Sequence, residues 1–223
     1  MKKHIIIIVI LLAVISVLSI ELLNANINLQ GNIKEINITN NIDKEVIVFV
    51  GDSITDKYNL GKFYNYKDKL IINSGISGYK TTNILTRFDN LVEQHNPDKI
   101  FLLIGTNDLS KERTNEDIID DTKKIINRIK DLSSDIKIYY QSIYPVNRSL
   151  MSKDEKRHNE DIRNINKEMK NYCEENDIKY LDLYSILEDE KGNLKKEYTK
   201  DGLHINDDGY TVITNYLKPY VEE

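Results

Sequence analysis

The sequence predicts an α/β domain: a three-layer α/β/α sandwich in which a five-stranded parallel sheet lies between two layers of helices. Three observations lead there. Short runs that are mostly β-branched or aromatic recur along residues 45–223, and near-continuous apolarity marks strands buried on both faces, as a parallel sheet requires. Longer stretches with an apolar stripe at helical spacing lie between them. Alternation of the two builds βαβ units, whose crossover helices cover both faces of one sheet.

In chain order, the first segment differs in kind from the rest. Lys2 and Lys3 precede an apolar or small-residue run from Ile5 to Ile20, which Glu21 interrupts and Leu22 and Leu23 resume. This is the pattern of a signal peptide or an N-terminal membrane anchor over residues 1–23. The run would span about 24 Å as a helix, short of the roughly 30 Å of bilayer hydrocarbon, and Leu22 and Leu23 nearly close the gap. Leu23-Asn24-Ala25 makes a poor small-x-small cleavage site, so retention is favoured while cleavage stays open. Either outcome places the remainder outside the cytoplasm, because the positive end stays inside. Residues 24–44, rich in Asn and Ile, read as a tether.

Strands are expected at Val46–Val50, Leu70–Ile72, Ile100–Ile104, Ile136–Tyr140 and Ile178–Leu183. One intervening helix carries Ile84, Phe88, Leu91 and Val92. A second carries Ile118, Thr122, Ile125, Ile129 and Leu132, and a third Ile162, Ile165, Met169, Tyr172 and Cys173. A last helix, roughly Asp208 to Leu217, is expected to end before Pro219. A chain of 223 residues with 40% hydrophobic and 30% charged residues can bury a real core as one domain, residues 45–223. Cys173 is the only cysteine, so no internal disulfide and no Cys-x-x-Cys metal site can form, and its place on an apolar stripe marks a core thiol. A net charge of −5 with scattered lysines and arginines offers no basic stripe and argues against a nucleic-acid partner.

Ligands of open α/β sheets sit at the carboxyl ends of the strands, so the residues after each strand carry the chemistry. Gly51-Asp52-Ser53-Ile54-Thr55 follows the first strand and Asn73-Ser74-Gly75-Ile76-Ser77-Gly78 the second. Gly105-Thr106-Asn107-Asp108 follows the third, and Asp201-Gly202-Leu203-His204 comes near the end. A serine hydroxyl needs a base to become a nucleophile, and Ser53 sits at a strand-to-helix turn that would expose it. His4 lies in the leader, and His95 and His158 occupy helical settings without a partner pattern, which leaves His204 as the base. Asp201, three residues earlier, can reach Nδ1 of that imidazole and stabilise its charged form. Taken singly, Ser53 reads as a cap or turn residue and Asp201–His204 as a loop ion pair. The four blocks in register with the strand ends reverse that reading.

These blocks, in this order, resemble the SGNH/GDSL hydrolase family across almost all of residues 46–221. They are most similar to bacterial GDSL-type esterases and lipases related to platelet-activating factor acetylhydrolase, through Gly-Thr-Asn-Asp-Leu and the Asp-Gly-Leu-His-x-Asn-x-x-Gly-Tyr segment ending at Tyr210. The resemblance implies a flavodoxin-like fold and a serine esterase working through a Ser53-His204-Asp201 triad and a covalent acyl-enzyme. It implies neither a metal nor an organic cofactor. It also implies an oxyanion hole made by the backbone N–H groups of Ser53 and Gly78 and the side-chain amide of Asn107. Asp52 and Asp108 then read as structural, bonding the loops that present Ser53 and Asn107. Gly-Asp-Ser-Ile-Thr lacks the second glycine of a Gly-x-Ser-x-Gly elbow, which speaks against the α/β-hydrolase fold.

Tyr58, Asn59 and Leu60 after the nucleophile, and Tyr144, Asn147 and Arg148 after strand four, are expected to border the substrate because they follow strand ends. The expected partner is a small-molecule, lipid or glycan ester, with membrane contact through the N-terminal segment. A polysaccharide deacetylase, a lipid acyl esterase or lysophospholipase, a thioesterase and an inactive carbohydrate-binding module on the same fold all stay open.

Overall fold

A computed structural model describes residues 21–23 and 44–223; residues 1–20 and 24–43, which hold most of the expected leader and tether, lie outside the described residues. Glu21–Leu23 are helical. Among the described residues no helix is long and apolar enough to cross a membrane.

Residues 45–223 form a unit of their own. Its strands are β1 (Glu45–Gly51), β2 (Lys69–Gly75), β3 (Lys99–Leu103), β4 (Lys137–Gln141) and β5 (Lys179–Leu181). They make one five-stranded sheet in the order β2-β1-β3-β4-β5, with every pair parallel. Helices α1 (Ser53–Asp56) and α2 (Leu60–Phe63) follow β1; α3 (Thr81–Thr86) and α4 (Phe88–Leu91) follow β2. After β3 come α5 (Thr106–Leu109) and α6 (Asn115–Leu132), then α7 (Asn159–Glu175) before β5, and finally α8 (Leu183–Leu187) and α9 (Asp207–Glu222). The expected three-layer sandwich is the observed one.

The two-residue period of the strands divides the core into two layers. Val48, Val50, Ile100 and Leu102 face Ile84, Phe88, Ile118, Ile125, Ile162 and Met169 on α3, α4, α6 and α7. On the other face Ile47, Phe49, Phe101 and Leu103 meet Ile54, Leu60, Leu183, Leu187, Ile213 and Leu217. That second layer is built around a stack across three adjacent strands, with ring centroids 4.6 Å apart both for Phe49–Phe101 and for Phe101–Tyr139. Cys173 is fully buried among the apolar residues of the first layer, and burial pushes its thiol up to about 12, which leaves it inert at neutral pH.

Four elements differ from the sequence expectation. The stripe from Ile84 to Val92 belongs to two helices, because the chain leaves helical geometry at Arg87 (φ −113°, ψ 24°). Arg128 spans that break, donating to the Leu85 carbonyl at 3.0 Å and to Asp89 at 2.6 Å. β5 is shorter than expected because Asp182 accepts the N–H of Ser185 and starts α8 at Leu183. Leu132, expected on the buried stripe, is exposed at the last position of α6. Finally, α9 does not stop before Pro219 but continues to Glu222. An exposed proline removes one donor from the helix, whereas Val221 beyond it is fully buried. The Nζ of Lys99, itself buried and paired with Glu45 at 2.9 Å, holds the last turn by donating to the carbonyls of Tyr220, Val221 and Glu223.

Phe101 lies in the middle of the three-strand aromatic stack, so truncation leaves a cavity with ordered walls. Phe101→Ala is expected to cost about 3–5 kcal/mol, read as a lower urea midpoint at an unchanged slope.

Candidate active site

The site begins where β1 ends. Gly51 pairs in register with Gly75 of β2 and with Leu103 of β3, and the chain then folds back on itself. A Cβ on Gly51 would lie 2.2 Å from Oγ1 of Thr55 and 2.5 Å from the carbonyl of Leu103. Only glycine therefore allows α1 to start so close to the strand end. Oδ1 of Asp52 caps that helix by accepting the N–H of Ile54 at 2.9 Å. Nδ2 of Asn73 donates to the carbonyls of Thr55 and Tyr58 at 2.7 and 3.0 Å, and the Tyr210 hydroxyl donates to that of Ile54 at 2.6 Å. Ser53 is thereby fixed as the first residue of α1.

The turn just before α9, after α8, brings the other two side chains to it. Nε2 of His204 lies 3.1 Å from Oγ of Ser53, and Nδ1 lies 2.6 Å from Oδ2 of Asp201. The second carboxylate oxygen, Oδ1, accepts the N–H groups of Leu203 and His204 at 2.9 and 2.8 Å. Partial burial alone would raise this carboxyl, but the imidazole and the two N–H donors outweigh it and hold Asp201 at about 2. The turn is closed by Gly202 at φ +85°, where a Cβ would meet the Asn147 carbonyl at 2.4 Å, and the N–H of Asn147 donates to the Gly202 carbonyl at 2.8 Å.

Two further loops close the crest. Gly78 lies at φ +80° in a turn held by the Tyr79 N–H on the Ile76 carbonyl at 3.1 Å, with open space where its Cβ would be. Nδ2 of Asn107 donates to the Tyr79 carbonyl at 3.0 Å, so the amide sits against the loop that carries Gly78. The fully buried carboxylate of Asp108 ties the same loops together. It accepts the N–H of Thr81 at 3.0 Å, the Thr81 hydroxyl at 2.7 Å and the Arg113 guanidinium at 2.9 Å. Arg113 also reaches Asp121 on α6 at 2.9 Å. Asp52 is buried as well, but Oδ2 has no hydrogen-bond partner. Loss of solvent pushes its carboxyl up to about 7 against the opposing pull of the Ile54 N–H and the Arg157 charge.

Ser53, His204 and Asp201 are hydrogen-bonded in a row, and Gly78 and Asn107 come from loops bonded to each other. The residues expected to border the substrate are placed otherwise. Tyr58, Leu60, Tyr144 and Asn147 are buried. The Tyr58 hydroxyl bonds Thr214 at 2.6 Å, that of Tyr144 donates to Gln141 at 3.0 Å, and the Asn147 amide donates to the Leu194 carbonyl at 2.7 Å. Asn59 caps α2 by accepting the N–H of Lys62. Arg148 is turned onto the carbonyls of Lys153, Glu155 and Arg157 within its own loop. All six thus hold the scaffold together, because following a strand end fixes a residue's height on the sheet but not the direction of its side chain. The space beside His204 is instead a groove of about 640 Å³ lined by Lys57, Lys200, Asp201, Ile205, Asn206, Asp207 and Asp208. Lys57, Lys200, Thr81, Arg113 and Arg157 carried no spacing signal in the sequence. Among the described residues no group of three or more His, Cys, Asp or Glu side chains is arranged to hold a metal ion.

The model of the GDSL-like lipase/acylhydrolase family matches residues 49–212. The chain belongs to that family. The ester-hydrolase class expected from the sequence agrees with this membership. A solved Streptococcus pneumonia protein described as a platelet activating factor is 35% identical, with a TM-score of 0.74 over 80% of this chain and 84% of that one. A GDSL-like lipase from Bacteroides thetaiotaomicron shares the fold at 23% identity, with a TM-score of 0.70 over 80% and 88% of the two chains. Among curated proteins, an N-acylneuraminate cytidylyltransferase from Escherichia coli is 31% identical over 183 residues, which are 79% of this chain and 40% of that protein. The chain therefore spans less than half the length of the curated relatives it matches first.

The family member's buried Asp52 gives a testable signature. Its folded value, about 7, lies above the roughly 3.9 of an unfolded aspartate, so the native state holds the extra proton. Stability is then highest below about pH 4 as far as this group is concerned, and declines as pH rises to about 7. Asp52→Asn keeps an acceptor for the Ile54 N–H and cannot ionise. Urea midpoints compared at pH 4.5 and 8 should fall less for the variant than for the wild type.

Proposed function

We propose that this chain is a serine esterase that hydrolyses acyl or acetyl esters through Ser53, His204 and Asp201, with a covalent acyl-enzyme. The observation that carries the reading is the unbroken hydrogen-bonded row from Oγ of Ser53 through the imidazole to the Asp201 carboxylate. In the first step Oγ attacks the ester carbonyl while Nε2 of His204 takes its proton. The imidazolium is stabilised by Asp201, which stays ionised down to about pH 2. The tetrahedral oxyanion is met by the N–H groups of Ser53 and Gly78 and the amide of Asn107. Its collapse releases the alcohol, which receives the proton back from His204. Water then attacks the acyl group, with His204 as base again, and frees Ser53.

The same mechanism orients the substrate. Since His204 protonates the departing alcohol, the alcohol lies against the imidazole, and the groove there is lined by lysines, aspartates and an asparagine, with Ile205 its one aliphatic residue. That lining favours a polar alcohol such as a sugar hydroxyl over a lipid. The reading is tested on the full chain with 4-nitrophenyl acetate and a panel of acetyl esters of sugars and of long-chain alcohols. Ser53→Ala should reduce turnover by about 10⁶-fold, to background, and the wild type should prefer the sugar esters. Equal turnover by wild type and Ser53→Ala would remove the esterase reading, whereas preference for long-chain alcohols would remove only the polar-alcohol reading.

The reaction is proposed to occur outside the cytoplasm, on the support of Lys2, Lys3 and the apolar run from Ile5 to Ile20. Residues 1–44 fused to an alkaline phosphatase that folds only after export should yield phosphatase activity in a bacterial host. Replacing Ile10, Leu11 and Leu12 with lysines should abolish it.

A further inference from the structure

We infer that Arg157 is a positioning residue of this site, one that fixes and polarises the Asn107 amide so that its N–H points at the oxyanion; the inference rests on the esterase reading above. An asparagine amide has two ends of nearly equal size, and only the nitrogen can donate to a developing negative charge. Which end faces the reacting carbonyl must therefore be decided by its neighbours. Nη2 of Arg157 lies 2.9 Å from Oδ1 of Asn107, and Nε lies 2.9 Å from the carbonyl of Thr106. A guanidinium has donors only, so it accepts no arrangement except the one with Oδ1 turned towards it. The Nδ2 group then spends one proton on the Tyr79 carbonyl at 3.0 Å and keeps the second for the oxyanion.

The charge acts in the same direction as the geometry. Arg157 is almost fully buried, and a cation at the oxygen end of an amide draws electron density from it and strengthens the N–H at the other end. Its counter-ion is Glu155, at 2.8 Å from Nη1, on the side of the guanidinium that Asn107 does not occupy. Glu155 is held in turn by the N–H groups of Lys156 and Arg157. The buried cation is thus compensated, as a buried charge must be, yet the donors at Nε and Nη2 are left to Thr106 and Asn107. The loop between β4 and α7 consequently serves the oxyanion side of the site through one side chain.

A merely structural arginine would weaken the protein and slow the enzyme independently of Asn107, whereas a positioning role is exhausted once the amide is gone. The test is a double-mutant cycle on the full chain with 4-nitrophenyl acetate, using Arg157→Met, Asn107→Ala and the pair. Asn107→Ala should lower kcat by about 10²–10³-fold. Arg157→Met should lower kcat by roughly 10–100-fold with KM within about twofold, and the double variant should be no slower than Asn107→Ala alone. Arg157→Lys keeps the buried cation but cannot bridge Thr106 and Asn107 together, so it should recover part of the loss; it also replaces the methionine variant in the cycle if that one does not fold. An unchanged kcat in both arginine variants, or losses that multiply in full in the double variant, overturn the inference. An unchanged kcat in Asn107→Ala overturns the oxyanion assignment itself, and Ser53→Ala reports separately on the esterase reading.

Discussion

The site depends on the register of three strands that end together. Gly51 of β1 lies between Gly75 of β2 and Leu103 of β3, and the chain order of the sheet, β2-β1-β3, makes this the place where successive crossovers diverge to opposite sides. The loops that follow all three strands therefore open at one height. Gly51 lets the chain turn at once into α1 and set Ser53, itself largely buried, at the strand end, because no side chain at Gly51 could coexist with Thr55 and the Leu103 carbonyl. A shift of one residue in β1 would exchange its two buried faces and carry Ser53 away from His204. The two core layers thus do more than stabilise the sandwich: they fix the register on which the distance from Ser53 to His204 depends.

Register alone leaves the loops free, and what fastens them is polar. Asp108 binds the loop after β2 through Thr81, and Arg157 binds the loop after β3 through Thr106 and Asn107. The Asn147 N–H holds the turn that carries Asp201 and His204. Each link joins a loop to backbone atoms of another, and charged partners make such bonds stronger than neutral ones. Buried groups of this kind are costly unless nearly every donor and acceptor is used. Here Asp108 and Arg157 meet that condition, whereas Oδ2 of Asp52 and Oγ1 of Thr106 do not.

How far the sequence reveals this depends on whether the information is contiguous. The strands are legible because burial on both faces makes them apolar throughout, and Ser53, Asn107, Asp201 and His204 stand out as candidates because each falls in a short block at a strand end or tight turn. Tyr58, Leu60 and Tyr144 were misplaced as substrate contacts because an aromatic or apolar side chain near a strand end can face the core as readily as the solvent, and here the core took them. Arg157 was hidden by its setting. It stands at the end of Lys153-Asp154-Glu155-Lys156-Arg157, a run whose charges alone suggest a solvated loop, and only the fold shows that Arg157 turns inward with Glu155 beside it. Pro219 misled for a related reason: a proline rule concerns the helix alone, and Lys99, far away in sequence, holds the helix end from outside.

The two aspartates beside Ser53 show how environment, not residue type, sets the charge of a carboxyl group. Asp52 adjoins Ser53 in sequence, yet burial, with its second oxygen unpaired, pushes it up to about 7 against the pull of a single N–H donor and the Arg157 charge. Asp201 is more than half exposed at its side chain and still lies at about 2, because both of its oxygens accept donors. The carboxylate that bonds the imidazole is therefore the more exposed, well-bonded one, as the proposed mechanism requires. The buried carboxylate, costly to ionise, is suited to capping the helix that presents Ser53. Environments that push paired carboxylates apart are how one fold separates a structural acid from a charge-stabilising one at the same pH. The hydrogen bonds to Asp201 come from the backbone and the imidazole of its own turn, so the separation is set by Asp201-Gly202-Leu203-His204 and by the Asn147 backbone that lies against Gly202.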